Sequence, residues 1–134
     1  MLSGASVLVI DDDSAILELV AGILEHAGCT TTVAQNAFHG LKLAREVRPS
    51  VIVCDMMMPD MAGSDVFRAL AAQPATARIP RIMISGHPGA DCSCANAFLP
   101  KPFAAEEMLT TLENALATPA VLRGAALREA QWRG

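Results

Sequence analysis

The sequence has no surplus of positive charge. Ten Lys and Arg stand against fourteen Asp and Glu, a formal charge of −4 at pH 7. A general nucleic-acid binder needs a basic surface, so direct DNA binding is not expected. Long uncharged apolar stretches are also missing. None approaches the roughly 18 residues of a spanning helix, and no membrane insertion is expected. The apolar run at 7–10 is too short for a signal peptide, lacks a basic flank and runs into three Asp. The expected location is the cytoplasm, where Cys29, Cys54, Cys92 and Cys94 would be reduced thiols. A standard zinc spacing is absent too. Cys92 and Cys94 form C-x-C with His87 nearby, but no fourth ligand is evident, and the stretch reads as a loop. Neither an internal repeat nor a low-complexity tract is visible.

What is present is core-forming material. Hydrophobic residues make up 52% and charged residues 18% of 134 residues, enough for one folded domain and too little chain for two. The charge is uneven. Residues 1–117 hold seven basic and thirteen acidic side chains, a balance of −6, while 118–134 hold three Arg and one Glu, a balance of +2.

Two kinds of segment alternate. Residues 6–10 form a short β-branched apolar run, suited to a strand buried on both faces. Ile16, Val20, Ile23, Leu24 and Ala27 then follow a helical stripe, with Asp13 or Ser14 as its cap and Gly28 at its end. A second strand is expected over 30–34. Asn36 follows as the cap of a helix carrying Phe38, Leu41 and Ala44, which must stop near Arg48 because Pro49 follows. Residues 51–54 read as a third strand and 55–62 as a loop. Ser64 or Asp65 can cap a helix to about Leu70. Strands are expected at 81–85 and 95–99, and a last helix at 102–117. Strands alternating with helices predict a doubly wound α/β domain with a five-stranded parallel sheet.

In such sheets ligands bind beyond the carboxyl ends of the strands. Asp11, Asp12 and Asp13 follow the first strand, Asp55 the third, Ser85 ends the fourth, and Lys101 lies beyond the fifth. Each has an ordinary explanation alone: acids favour a helix start, Asp55 suits a turn, Ser85 a local cap, Lys101 a solvated surface. Their joint placement at successive strand ends is what points to a site. Crowded carboxylates favour protonation unless a cation joins them, and hard carboxylate oxygens suit Mg²⁺. With Mg²⁺ (or Mn²⁺) bound, Asp55 would be a nucleophile toward a phosphoryl group, Lys101 its ion pair and Ser85 a hydrogen-bond donor to it.

Four motifs then carry a resemblance. They are V-L-V-I-D-D-D at 7–13, V-I-V-C-D-M-M-M-P-D-M-A-G at 51–63, I-M-I-S-G at 82–86 and L-P-K-P-F at 99–103. The sequence resembles a response-regulator receiver domain of two-component signalling, of the chemotaxis type with a flavodoxin-like fold. The likeness covers about residues 5–117. It implies that a histidine kinase or phosphotransfer protein donates a phosphoryl group to Asp55, and that the domain is a phosphoacceptor rather than an enzyme. It implies metal ligation by Asp12, by Asp11 largely through water, by Asp55 and by the Met57 backbone carbonyl. Ser85 would be the switch hydroxyl, Lys101 the phosphoryl ion pair and Phe98 the aromatic switch that turns inward, with Met57 and His87 lining the site. The Lys101–Pro102 bond is expected to be cis. Partner choice would change through a population shift, toward a downstream protein that the sequence does not name.

Three departures stand out. Only residues 86–100 separate Ser85 from Lys101, so the fourth helix, expected there, reads as shortened or absent. Phe98 has no hydroxyl for a hydrogen bond. Residues 118–134 form a C-terminal extension beyond the 1–117 receiver domain, read as a short helix or as disordered; it is open to covering exposed surface or to a homodimer contact anchored by Trp132. The leading reading is a single-domain response regulator. A receiver taken from a hybrid kinase or larger regulator stands beside it, as does a phosphorylation-independent binding module. Haloacid-dehalogenase-type phosphatases share D-x-D after the first strand, but Asp11-Asp12-Asp13-Ser14-Ala15 departs from their pattern at its last position.

Overall fold

The computed structural model describes residues 2–86 and 95–117. Among these, five strands form one parallel sheet in the order β2-β1-β3-β4-β5. The elements run β1 (Ser6–Ile10), α1 (Ser14–His26), β2 (Thr30–Ala34), α2 (Ala37–Val47), β3 (Val51–Asp55), α3 (Gly63–Ala71), β4 (Arg81–Ser85), β5 (Ala97–Pro100) and α4 (Ala105–Ala117). The order reverses between β1 and β3, so the crevice at their carboxyl ends is the topological switch point of a doubly wound sheet.

The side-chain period of two divides the core. Val7, Val9, Val51, Val53, Ile82 and Ile84 face one way and pack against Leu17, Val20 and Leu24 of α1 and Met108 and Leu112 of α4. Leu8, Ile10, Ile52, Cys54 and Met83 face the other way, against α2 and α3. Every residue of β3 is buried, because β3 has strands on both edges and helices over both faces. Edge strands β2 and β5 are only partly covered.

Several local expectations hold for the stated reasons. The Asp13 carboxylate accepts from the Ala15 N–H at the start of α1, and Asn36 Oδ1 accepts from the His39 N–H at 2.8 Å at the start of α2. Arg48 ends α2 in the left-handed region at φ 50° before Pro49. Lys101–Pro102 is cis.

Others need correction. Leu17 rather than Ile16 lies in the core, with Ile16 only partly buried against it. Phe38 is 66% exposed, since α2 turns its small residues Ala37, Gly40 and Ala44 to the sheet. Gly40 lies so close to Ile10 that an added Cβ would come within 2.6 Å of its side-chain tip, and the Ile10 side chain would have to shift. The third helix begins at Gly63 with Ala62 as its N-cap and no side-chain cap, not at Ser64 or Asp65. The cause is a close approach: the Gly63 N–H donates to the Met56 carbonyl at 2.8 Å, pulling the helix start onto the end of β3. The last helix starts three residues later than expected, at Ala105, where Glu107 accepts from the Ala104 N–H. That helix, α4, is fourth in chain order and is complete at 13 residues, so the described chain does not have a shortened fourth helix. The shortening expected between Ser85 and Lys101 concerns residues 87–94, which lie outside the described residues, as does the extension 118–134.

Candidate functional site

The sheet register brings the acids together. Ile10 pairs with Cys54, which sets Asp11 one step beyond β1 beside Asp55, the last residue of β3. Carboxylate oxygens of Asp11, Asp12 and Asp55 all lie within 4.8 Å of one another. Asp11 is fully buried and Asp55 is 7% exposed, while Asp12 faces solvent.

Lys101 enters from the other side of the crevice. Its backbone N–H donates to the Ser85 carbonyl at 2.8 Å, extending the β4–β5 ladder by one residue. Its Nζ then reaches Asp11 Oδ2 at 3.2 Å and Asp55 Oδ1 at 3.1 Å. The other Asp11 oxygen accepts from the Asp13 N–H at 2.9 Å. Three carboxylates against one ammonium leave two negative charges in excess at this edge.

The titration behaviour follows from that crowding. Burial pushes the Asp11 carboxyl above its usual range, and the neighbouring Asp55 charge adds to this. The Asp13 N–H and Lys101 oppose the shift without cancelling it. Burial alone would lower the Lys101 ammonium, but the Asp55 hydrogen bond and the two carboxylate charges outweigh it and raise the group overall. A pocket that disfavours its own anion is short of positive charge. Its donors are hard oxygens, two buried and one exposed, the set that Mg²⁺ or Mn²⁺ takes while keeping several waters. The residues fit such an ion.

Three of the four remaining expected site residues fall within the described residues. Ser85 is buried at the end of β4, one residue past Ile84, which pairs with Asp55. Met57 lies in the β3–α3 loop and is 56% exposed. Phe98 lies on β5 opposite Met83 and is 37% exposed. His87 lies outside the described residues. Sequence reading missed Asp60. Its carboxylate accepts from the Ala37 and Phe38 N–H groups, and nothing local marks a contact across 22 and 23 residues. It also missed the depth of Arg81, which is buried with its guanidinium on the Ala77 carbonyl at 3.0 Å.

Comparison with known proteins agrees with this geometry. The family model for the response regulator receiver domain matches residues 7–113. The DNA-binding dual master transcriptional regulator RpaA of Synechocystis is 38% identical over 110 residues, covering 77% of this chain and 45% of its own length. The DNA-binding response regulator MtrA of Mycolicibacterium paratuberculosis is 31% identical, covering 77% of this chain and 47% of its own. This chain thus spans about half the length of the curated relatives it matches. Among solved structures, the chemotaxis response regulator CheY4 of Vibrio cholerae superposes with a TM-score of 0.79 at 29% identity, covering 85% of this chain and all of that one. The receiver domain of a Pseudomonas aeruginosa sensor histidine kinase, solved with magnesium in its active-site cleft, shares the fold at a TM-score of 0.80 and 21% identity, covering 87% of this chain and all of that one. With the family model matching most of its length, the chain belongs to the response regulator receiver domains, a family of signalling modules rather than enzymes.

Proposed function

We propose that the chain is the phosphoacceptor of a two-component phosphorelay, taking a phosphoryl group on Asp55 from a histidine kinase or phosphotransfer protein and changing its protein partners as a result. The observation that carries this reading is Lys101, held between Asp11 and Asp55 at 3.2 and 3.1 Å in the switch-point crevice. A carboxylate oxygen of Asp55 attacks the phosphorus of a phosphohistidine. The O–P bond forms as the N–P bond breaks, and the imidazole leaves with that electron pair. Lys101 holds Asp55 in place before transfer and faces the phosphoryl oxygens after it. Asp11, Asp12, Asp55 and the Met57 carbonyl would hold a Mg²⁺ (or Mn²⁺), which when bound neutralises charge on the transferring group.

Ser85 is the switch hydroxyl, drawn toward the new phosphoryl group, and Phe98 repacks in response. Support comes from the ladder bond that joins Ser85 to Lys101 and from the half-exposed position of Phe98 on an edge strand. Met57 lines the entrance, a role that the resemblance also implies for His87. An exposed thioether at Met57 orients no attacking water, so the phosphoryl group is long-lived. Residues 1–117 form the receiver unit and 118–134 an extension of it, in a cytoplasmic protein that does not itself contact DNA. A second reading has its own support. Because the curated relatives are about twice as long, the chain can equally be the receiver unit of a larger regulator or hybrid kinase.

Intact mass after incubation with Mg²⁺ and acetyl phosphate tests the proposal. One added phosphoryl group in the parent and none in Asp55→Asn is expected. No addition to a chain that binds Mg²⁺ would refute autonomous phosphoacceptance. Rapid spontaneous loss of the label would refute the long-lived state.

A further inference from the structure

The loop between β3 and α3 runs from Met56 to Ala62 and leaves the central strand directly after Asp55. It is pinned at both ends. The Met56 N–H donates to the Ile84 carbonyl at 3.0 Å, and the Gly63 N–H returns to the Met56 carbonyl at 2.8 Å. Met58 is buried in the core beneath α2 and α3. Asp60 makes the remaining attachment. Its Oδ2 accepts from Ala37 N–H at 2.9 Å and Phe38 N–H at 3.2 Å, and its Oδ1 accepts from Ala37 N–H at 3.2 Å.

These are first-turn amides of α2, and a carboxylate there also meets the positive end of the helix. The helix has its own cap, since Asn36 satisfies His39. Helix initiation alone therefore does not require Asp60. What Asp60 adds is a polar tie between the loop and the first turn of α2, with both its oxygens engaged. Met57 is more than half exposed and lies between the two attachments at Met58 and Asp60 on one side and Met56 on the other.

We propose that Asp60 is a positioning residue for the site: its grip on the first turn of α2 fixes segment 57–60, and with it the Met57 carbonyl, at the Asp11–Asp12–Asp55 cluster. The inference rests on the proposed function, because it takes that carbonyl as a metal ligand. Residues that orient a ligand without touching the ion commonly govern affinity by tenfold or more.

The test compares two ways of uncapping the same helix. Mg²⁺ is titrated calorimetrically into the full chain as parent, Asp60→Ala, Asp60→Asn and Asn36→Ala, with amide hydrogen exchange followed in the metal-free proteins. Asp60→Ala is expected to weaken Mg²⁺ binding about tenfold and to speed exchange at residues 57–61. Asn36→Ala also lowers the melting temperature but leaves Mg²⁺ affinity within about twofold of the parent. Asp60→Asn keeps an accepting oxygen and stays closer to the parent than Ala does. If Asp60→Ala does not fold, Asp60→Ser, too short to reach both amides, replaces it. Equal Mg²⁺ affinity in the Asp60 and Asn36 variants overturns the proposal, as does an Asn variant as weak as Ala, which would assign the effect to lost charge. A parent that binds no Mg²⁺ overturns the functional reading itself and this inference with it.

Discussion

Two loops leave neighbouring strands at the same edge of the sheet, and they are held in opposite ways. The loop after β1 is three residues long, Asp11, Asp12 and Asp13; its distant contacts are made at Asp11, whose N–H donates to the Ala34 carbonyl and whose carboxylate takes Lys101, and its other hydrogen bonds are local. Asp13 N–H reaches back to Asp11, and Ala15 N–H to Asp13, each two residues away. The loop after β3 is seven residues long and is held from afar, by Ile84 on the next strand, by a core contact at Met58 and by Asp60 on α2. The short loop concentrates charge that it cannot neutralise by itself. The long loop concentrates geometry. The first therefore governs how the site responds to pH and metal, and the second how accurately its atoms are placed.

Substitutions that act on one loop alone sharpen this contrast. The largest effect is expected at Gly63, where the long loop closes. An added Cβ would collide with the Asp55 carbonyl oxygen and come within 3.0 Å of Met56 Cα, both backbone atoms that cannot turn aside. Gly63→Ala should cost about 3 kcal/mol in chemical denaturation, and Mg²⁺ binding should weaken along with it. A variant as stable as the parent would mean that the loop gives way easily and that its geometry is not tightly held.

A smaller effect of opposite sign is expected in the short loop. Asp11 has a raised pKa in the folded chain, chiefly through burial, so its ionised form opposes folding at neutral pH. That cost disappears as pH falls through the folded pKa toward the unfolded one. Asp11→Asn should stabilise the metal-free chain by about 1 kcal/mol, the usual scale of single substitutions, and the gain should shrink as the pH is lowered. With Mg²⁺ added, the order should reverse, because the variant loses a ligand. On the alkaline side the contribution of Lys101 runs the other way. Its folded pKa is raised, so its stabilisation is complete below the unfolded value and is lost as pH rises through the folded one. Melting curves across pH, with and without Mg²⁺, check both signs.

The smallest effect concerns the start of α3. Ala62 is the N-cap and offers no side-chain acceptor. Ala62→Asp should add roughly 0.5–1 kcal/mol in the same denaturation measurement. A destabilising result would mean that the long loop tolerates no further carboxylate near Asp55.

What was legible in the sequence follows the same division. The strands, to within one residue at the ends of β3 and β5 and two at the start of β5, the acid triplet, Asp55 and Lys101 are visible because burial and strand period are local patterns, and the parallel topology then brings them together. The caps are local as well: the sequence offers Asn36 for α2 and Asp13 beside Ser14 for α1, of which the structure uses Asp13. Phe38 was misread because a helical stripe does not show that α2 must present its smallest residues to come close to Ile10. The start of α3 was misplaced because Gly63 is set by the backbone of β3, not by its sequence neighbours. Asp60 left no sign at all, its partners being 22 and 23 residues away.

The burial of β3 has one further consequence. Asp55 ends a strand that is laddered on both edges and covered on both faces. Such a strand cannot slide or twist without breaking two hydrogen-bond ladders and opening both halves of the core at once. Asp55 is therefore the fixed point of the molecule, an anvil rather than a lever. If Asp55 takes a phosphoryl group as proposed, the response to it falls to the parts less firmly enclosed, the loops and the half-covered edge at β5.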